Sequence, residues 1–374
     1  MFIFDQTAAA KEAVVDGSLN VQAGGYLGII NAAEGTINLT TENGTVTFED
    51  GAKVATDNPF IVSEVNTDKK TLTNSINVDS GLQALTSLGV QAMARRADFK
   101  MAEAVASHTS VDQDLSKPLN LWVEASGERY ESDGLRSDGD FKADMGYAVF
   151  GGDVAIGDVW TAGAAVQYGT GSLRSTVSSI KNDIDAWGFT LYGTHSSCGG
   201  ACKVVAELAY TQTKNDIKAA QTALNESVDA KVYSAGIRGQ HQFTAGGFAF
   251  IPSLGIRISR LESDAMNIGM VRVEDQDFTF VQLPLSLTIT GAEKNVDGWT
   301  LAPYMKATYA PAFGDKALKV FSHETDVIDM SPVQGEFGLR AQNGNMIFGA
   351  DFQVGGGDYG TSSIGGKVSF KYAF

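Results

Sequence analysis

The sequence predicts an all-β chain that closes into a twelve-stranded antiparallel barrel in a membrane, with one helix in its pore. Three observations predict it. The last thirteen residues place Val368, Phe370, Tyr372 and Phe374 on one strand face and Lys367, Ser369, Lys371 and Ala373 on the other. That is the period-two pattern of a strand with one apolar and one polar side. From Leu119 onward, eleven further alternating segments precede it, each at least as long as the roughly 9–11 residues of a tilted membrane strand. The connections alternate between long and tight, which is how outer-membrane barrels sort surface loops from periplasmic turns. A soluble sandwich shares the alternation but has no reason to sort its loops.

Composition agrees. Charged residues make up 19% and hydrophobic residues 43% of the chain; the first is below the usual share of about 25%, without a compensating apolar rise. No run of about 18 apolar residues is present, so no transmembrane helix is expected. Met1-Phe2-Ile3-Phe4-Asp5 has no basic region, so no secretory signal is expected there, and an exported chain with this start would be a fragment or begin at a mis-assigned start. A net charge of −16 argues against nucleic acid as a partner.

Taken in order, residues 1–79 are polar and poor in aromatics, with short strand-like pieces at Ser18–Val21, Thr36–Thr40 and Thr45–Phe48. Such pieces suit the rungs of a parallel β-helix, or a small irregular β region. Residues 80–110 change character. The stretch 80–107 is dense in strong helix formers, with Asp79 or Ser80 as a cap. It carries Arg95, Arg96, Lys100 and Glu103, so it cannot face lipid. A slim, Ala-rich, charged helix fits a polar tunnel, and those four residues are the candidates for contacts with the lumen. The alternative is a surface helix packed on a sheet.

Residues 111–374 form the barrel domain. Strands are expected at about 119–130, 138–156, 158–173, 181–196, 201–214, 226–242, 247–263, 274–290, 298–311, 328–342, 344–356 and 362–374. Long connections fall at 174–180, 215–225, 264–273 and 312–327, and tight ones at Gly157, at Thr244-Ala245-Gly246 and at Asn343. The alternation assigns faces. Leu121, Val123, Leu254, Ile256, Met305, Phe337 and Leu339 look toward lipid, and Trp122, Glu124, Arg257, Lys306, Glu336 and Arg340 look inward. The lumen is therefore expected to be lined by charges of both signs. Cys198 and Cys202 flank Gly199-Gly200-Ala201, which reads as a small disulfide loop of an oxidising compartment, with a reduced pair as the alternative.

A helix directly before twelve strands, Leu119-Asn120-Leu121-Trp122-Val123 opening the first, Gly146-Tyr147 in the second, Leu301-Ala302-Pro303-Tyr304 in the ninth and the terminal Val368-Ser369-Phe370-Lys371-Tyr372-Ala373-Phe374 together resemble the β-domain of type V autotransporters. The resemblance covers 80–374. It implies a helix that threads the pore to an upstream passenger, a barrel that lets the passenger reach the cell surface, and a location in the outer membrane of a Gram-negative bacterium. It also implies that Val368, Phe370, Tyr372 and Phe374 form the signal read by the barrel assembly machinery. The expected partners are outer-membrane lipid, that machinery and periplasmic chaperones, with the chain acting as a monomer. Some members cut themselves at an Asn-Asn pair in the linker. None occurs in 80–110, so self-cleavage is not expected.

Catalytic sets are missing from the pattern. His108, His195, His241 and His323 are scattered, and no Gly-x-Ser-x-Gly elbow or phosphate loop is present. The expectation is a non-catalytic translocator without cofactor or metal. Two alternatives stand beside it: an outer-membrane porin, and a surface adhesin acting through residues 1–79 and the long loops.

Overall fold

The computed structural model describes residues 2–5, 12–15, 18–22, 26–30, 35–41, 45–49, 52–56, 61–66, 71–76, 90–113, 117–132, 141–175, 180–219, 224–268, 271–273, 275–314, 317–320, 323–326, 332–357 and 360–374. Among these residues no helix is long and apolar enough to cross a membrane.

In the N-terminal part, three stacks of strands pair in parallel. Phe2 lies opposite Leu27, Glu12 opposite Asn38 and Leu19 opposite Val46, so a rung takes about 26 residues, as in a solenoid. Of the two readings of this region, the parallel pairing selects the β-helix. Leu19, Val21, Leu27, Ile29, Ile37 and Leu39 fill its core. The strands Ile61–Asn66 and Thr71–Ile76 form an antiparallel hairpin on Gly35–Thr41, which ends the parallel stacking.

The barrel follows one helix. Its strands are β1 (Leu119–Ser132), β2 (Phe141–Ile156), β3 (Trp160–Ser175), β4 (Ile180–Ser197), β5 (Cys202–Ala219), β6 (Leu224–His241) and β7 (Phe248–Ser263). β8 (Gln276–Gln282 and Leu285–Thr290) is interrupted at Leu283-Pro284. β9 (Trp299–Tyr309), β10 (Val333–Asn343), β11 (Met346–Gly356) and β12 (Thr361–Ala373) complete the set. Neighbours pair antiparallel throughout, and β12 returns to β1 from Asn120 opposite Ala373 to Ser132 opposite Thr361. Closure leaves no edge, the condition for strands in lipid. Two inward aromatics lie flat over glycines of the adjacent strand. A Cβ on Gly151 would stand 2.2 Å from the Trp122 ring, and one on Gly163 would stand 2.3 Å from the Tyr192 ring.

Two expectations on connections need correction. The spans 174–180 and 215–225 are partly strand, since β3 runs to Ser175, β4 starts at Ile180, β5 runs to Ala219 and β6 starts at Leu224. The reason is a reversal of polarity along these strands. In the membrane portion, apolar side chains point out: Val166, Phe189, Leu191, Leu208 and Ile237 are exposed. Tyr168, Trp187, Tyr210 and Tyr233 then form an outward aromatic band, with ring centroids of Trp187–Tyr210 and Tyr210–Tyr233 each 5.2 Å apart. Such a band marks the interface of lipid and water. Beyond it, charges point out and Phe141, Leu173, Ile184, Ile217 and Val228 point in, fully buried. The period stays two while the faces exchange roles, so a search for lipid-facing apolar residues stops early. The spans 264–273 and 312–327 also carry short strands: Met266–Ile268 pairs with Val271–Val273, and Ala317–Val320 with His323–Asp326.

The wall is uneven. β2 to β7 run 16 to 18 residues, whereas β9 to β11 run 11.

Candidate functional site

The described helix, α1 (Val90–His108), lies inside the barrel. The expected stretch 80–89, with its cap at Asp79 or Ser80, lies outside the described residues. Ala, Met, Arg, Lys and Glu favour helix at almost every position. Thr109 closes it, its hydroxyl donating to the Val105 carbonyl at 2.6 Å.

The helix meets two different linings. Its N-terminal turns, with Val90, Met93, Ala94 and Ala97, sit in an apolar collar of Tyr130, Phe141, Leu173, Ile184, Ile217, Val228, Leu261 and Phe278. A polar tie crosses the collar, Gln91 Nε2 donating to Ser263 Oγ at 3.2 Å. This collar is the main feature missed by an expectation of a lumen lined by charges. It occupies the end of the barrel where the strand extensions rise.

Below it, charges take over. Arg96 donates twice to Glu128 of β1, at 2.7 and 2.6 Å, and Lys100 joins the same carboxylate at 3.2 Å. The Lys100 ammonium also reaches Gln353 at 3.1 Å and Glu103, one turn along, at 2.9 Å. Asp98 accepts from Arg257 of β7 at 2.7 Å and from the Ser234 hydroxyl of β6 at 2.9 Å, and Arg257 bridges on to Glu207 of β5. At the last turn, His108 stacks on Trp122 with centroids 4.3 Å apart, and Lys371 donates to the His108 carbonyl at 3.2 Å. Asp112, just past the helix, pairs with Arg340 of β10. These ions are almost fully buried, so each needs its partner. The wall carries a further network beside the helix: Glu336 holds Lys306 at 2.7 Å and Lys367 at 3.3 Å.

The arrangement orders the chain along the pore. Gln91 is level with Ser263 at the raised end, whereas His108 is level with Lys371 and Trp122 near the tight turns. The geometry is that of a segment crossing the lumen and held at one register.

The autotransporter β-domain family model matches residues 121–354, more than half of the chain. The chain belongs to the autotransporter β-domain family. The fold agrees with solved members. The translocator domain of autotransporter NalP from Neisseria meningitidis superposes with a TM-score of 0.62, at 15% identity over 77% of this chain and 99% of that one. The β-domain of the Bordetella autotransporter BrkA gives 0.56, at 14% identity over 69% and 100%. The transport unit of the autotransporter AIDA-I from Escherichia coli gives 0.54, at 15% identity over 71% and 93%. No curated protein sequence matches. As an autotransporter β-domain, the protein is an outer-membrane transport unit, the translocator through which an N-terminal passenger is exported and anchored.

The residues singled out from sequence fall as follows. Arg96 and Lys100 reach the wall at Glu128, and the Arg95 guanidinium stacks over the Phe280 ring at 4.0 Å. Glu103 meets Lys100 of its own helix. Asp98, with the deepest set of wall contacts, was not among the candidates, because nothing local in sequence connects it to Arg257. Val368, Phe370, Tyr372 and Phe374 lie on the outer face of β12 or just past it, Phe370 against Phe348 at 4.7 Å and Tyr372 edge-on to Phe374 at 4.6 Å. Cys198 and Cys202 are joined in a disulfide across the tight turn between β4 and β5, with Cα atoms 5.4 Å apart.

Proposed function

We propose that α1 is the stalled tail of a transported passenger, that residues 1–79 are the end of that passenger, and that they stand outside the cell. The observation that carries this reading is the direction of the helix. Its earlier residues lie at the raised end of the barrel, opposite the tight turns, and tight turns are periplasmic in such barrels. Chain before residue 90 then leaves on the cell-surface side. Arg95, Arg96, Lys100 and Glu103, together with Asp98, hold the helix as a plug after transport. The barrel performs no chemistry in this reading; it acts as conduit and anchor. Val368, Phe370, Tyr372 and Phe374 serve as the signal for the assembly machinery, with periplasmic chaperones delivering the chain and lipid surrounding it as a monomer. The disulfide of Cys198 and Cys202 pins a periplasmic turn.

The test is protease access. With a signal peptide and an epitope tag fused before residue 1, intact Gram-negative cells should lose the tag to added protease while the barrel stays in the outer membrane. A tag cut only after the outer membrane is permeabilised overturns the reading and favours a porin with a periplasmic N-terminus.

A further inference from the structure

Outside the barrel, the strand extensions of β1 to β8 carry a belt of charge. Arg129 pairs with Asp144 at 2.8 Å, Lys142 with Glu131 at 3.0 Å, Lys181 with Asp183 at 2.6 Å, Lys214 with Asp216 at 3.5 Å and Arg260 with Asp277 at 2.6 Å. All are outward positions on β1, β2, β4, β5, β7 and β8; Arg260 stands opposite Tyr233, level with the aromatic band, and the others lie past the band of Tyr168, Trp187, Tyr210 and Tyr233. Among the described residues of β9 to β12, the outer faces show Tyr309, Val333, Phe337, Val354, Ile364 and Val368 and no charged residue.

The aromatic band fixes the height of this belt. Asp185 is two residues past Trp187 and Lys181 is six residues past it. At about 3.3 Å per residue and a tilt near 40°, the belt spans roughly 5 to 15 Å above the rings. A phospholipid headgroup layer is only about 5–7 Å deep. The upper half of the belt would stand clear of it, yet within a taller head built of phosphorylated sugars. Both signs suit such a head: guanidinium and ammonium groups take phosphate, and carboxylates share divalent cations with phosphate. Exposed ion pairs are weak, so they exchange readily for these ligands.

We propose that the outer face of the β1–β8 extensions binds the phosphorylated saccharide heads of outer-leaflet glycolipid of the lipopolysaccharide class. This rests on the proposed orientation, with the raised wall at the cell surface.

The test uses the full chain in detergent micelles with magnesium, offered purified lipopolysaccharide or phosphatidylglycerol and read by native mass spectrometry. Wild type should keep lipopolysaccharide several-fold better than the variant R129Q/K142Q/K181Q/K214Q/R260Q, and a chelator should strip it. A control, K117Q/K294Q, should behave as wild type, since Lys117 just precedes β1 and Lys294 lies in the turn between β8 and β9, both at the tight-turn end. The heat-dependent gel shift of the folded barrel should be unchanged in all three. Equal retention by the five-fold variant overturns the proposal, as does equal competition by phosphatidylglycerol, which marks general attraction of anions. Loss confined to K117Q/K294Q would overturn the orientation itself.

Discussion

The two halves of the lumen hold the same helix by different physics. Around Met93, Ala94 and Ala97 the wall offers Phe141, Leu173, Ile184, Ile217, Leu261 and Phe278. Around Arg96, Asp98 and Lys100 it offers Glu128, Arg257, Glu207 and Gln353. Apolar burial has no direction; it is proportional to area and tolerates sliding. A buried ion pair is the reverse. Its net gain is small, but a broken one is costly. The apolar half therefore suits a seal, because it excludes water whatever the register. The charged half suits a stop, because only one register pairs every ion. A chain that has travelled through a pore needs both.

The largest effect should come from putting a charge into the seal. Leu261 is fully buried in the collar, and Leu261→Asp places a carboxylate where the apolar residues of the collar provide no partner. The cost should be on the order of 3–5 kcal/mol. The heat-dependent gel shift should show loss of the folded barrel, or surviving cells should admit large antibiotics. A variant that folds and stays tight would mean that the collar is wet and the contrast false.

Breaking the stop comes next. Arg257→Leu leaves Asp98 and Glu207 facing each other without their shared cation, at about 3–5 kcal/mol in urea unfolding from micelles. Replacing all three, with Asp98→Asn and Glu207→Gln added, removes the stranded charges and should recover most of the stability. Register should not recover with it. Channel recordings should show the triple variant opening more often than wild type, and equal closure would separate the network from the stop. Glu128→Gln should cost less, about 2 kcal/mol, because Lys100 keeps Glu103 and Gln353 while Arg96 loses both of its bonds to a charged acceptor.

Much of the stop was legible in the sequence and most of the seal was not. A charged helix ahead of twelve alternating segments already implies a polar pore, since Arg95, Arg96, Lys100 and Glu103 have no place in lipid. Arg257, Glu336 and Arg340 fall on the inward face by simple alternation. The partner of each ion was hidden, because Asp98 and Arg257 come together only when the seventh strand is curled around the helix. The seal was hidden for a different reason. Ile184, Ile217 and Val228 keep the period of two but sit beyond the aromatic band, where lipid no longer sets the outer face. The same pattern there means apolar inside, as in a soluble barrel, and period alone does not reveal the exchange. The β-helix was hinted at by short strands between turns, but its rungs of about 26 residues share spacing more than residues.

The smallest effect should come from a pair that looks as good as any on paper. Lys181 and Asp183 stand 2.6 Å apart, as close as Arg96 and Glu128. The difference lies in their surroundings. The Lys181 and Asp183 side chains are 41% and 39% exposed, against 7% and 5% for Arg96 and Glu128. Water and salt screen the first pair, and holding two mobile side chains offsets what attraction is left. Lys181→Gln should leave the urea midpoint and the closed state of the channel unchanged within error, while Glu128→Gln moves both. A Lys181→Gln variant as unstable as Glu128→Gln would show that separation alone sets the energy of an ion pair in this barrel, and the division between an inner stop and an outer, exchangeable belt would fall.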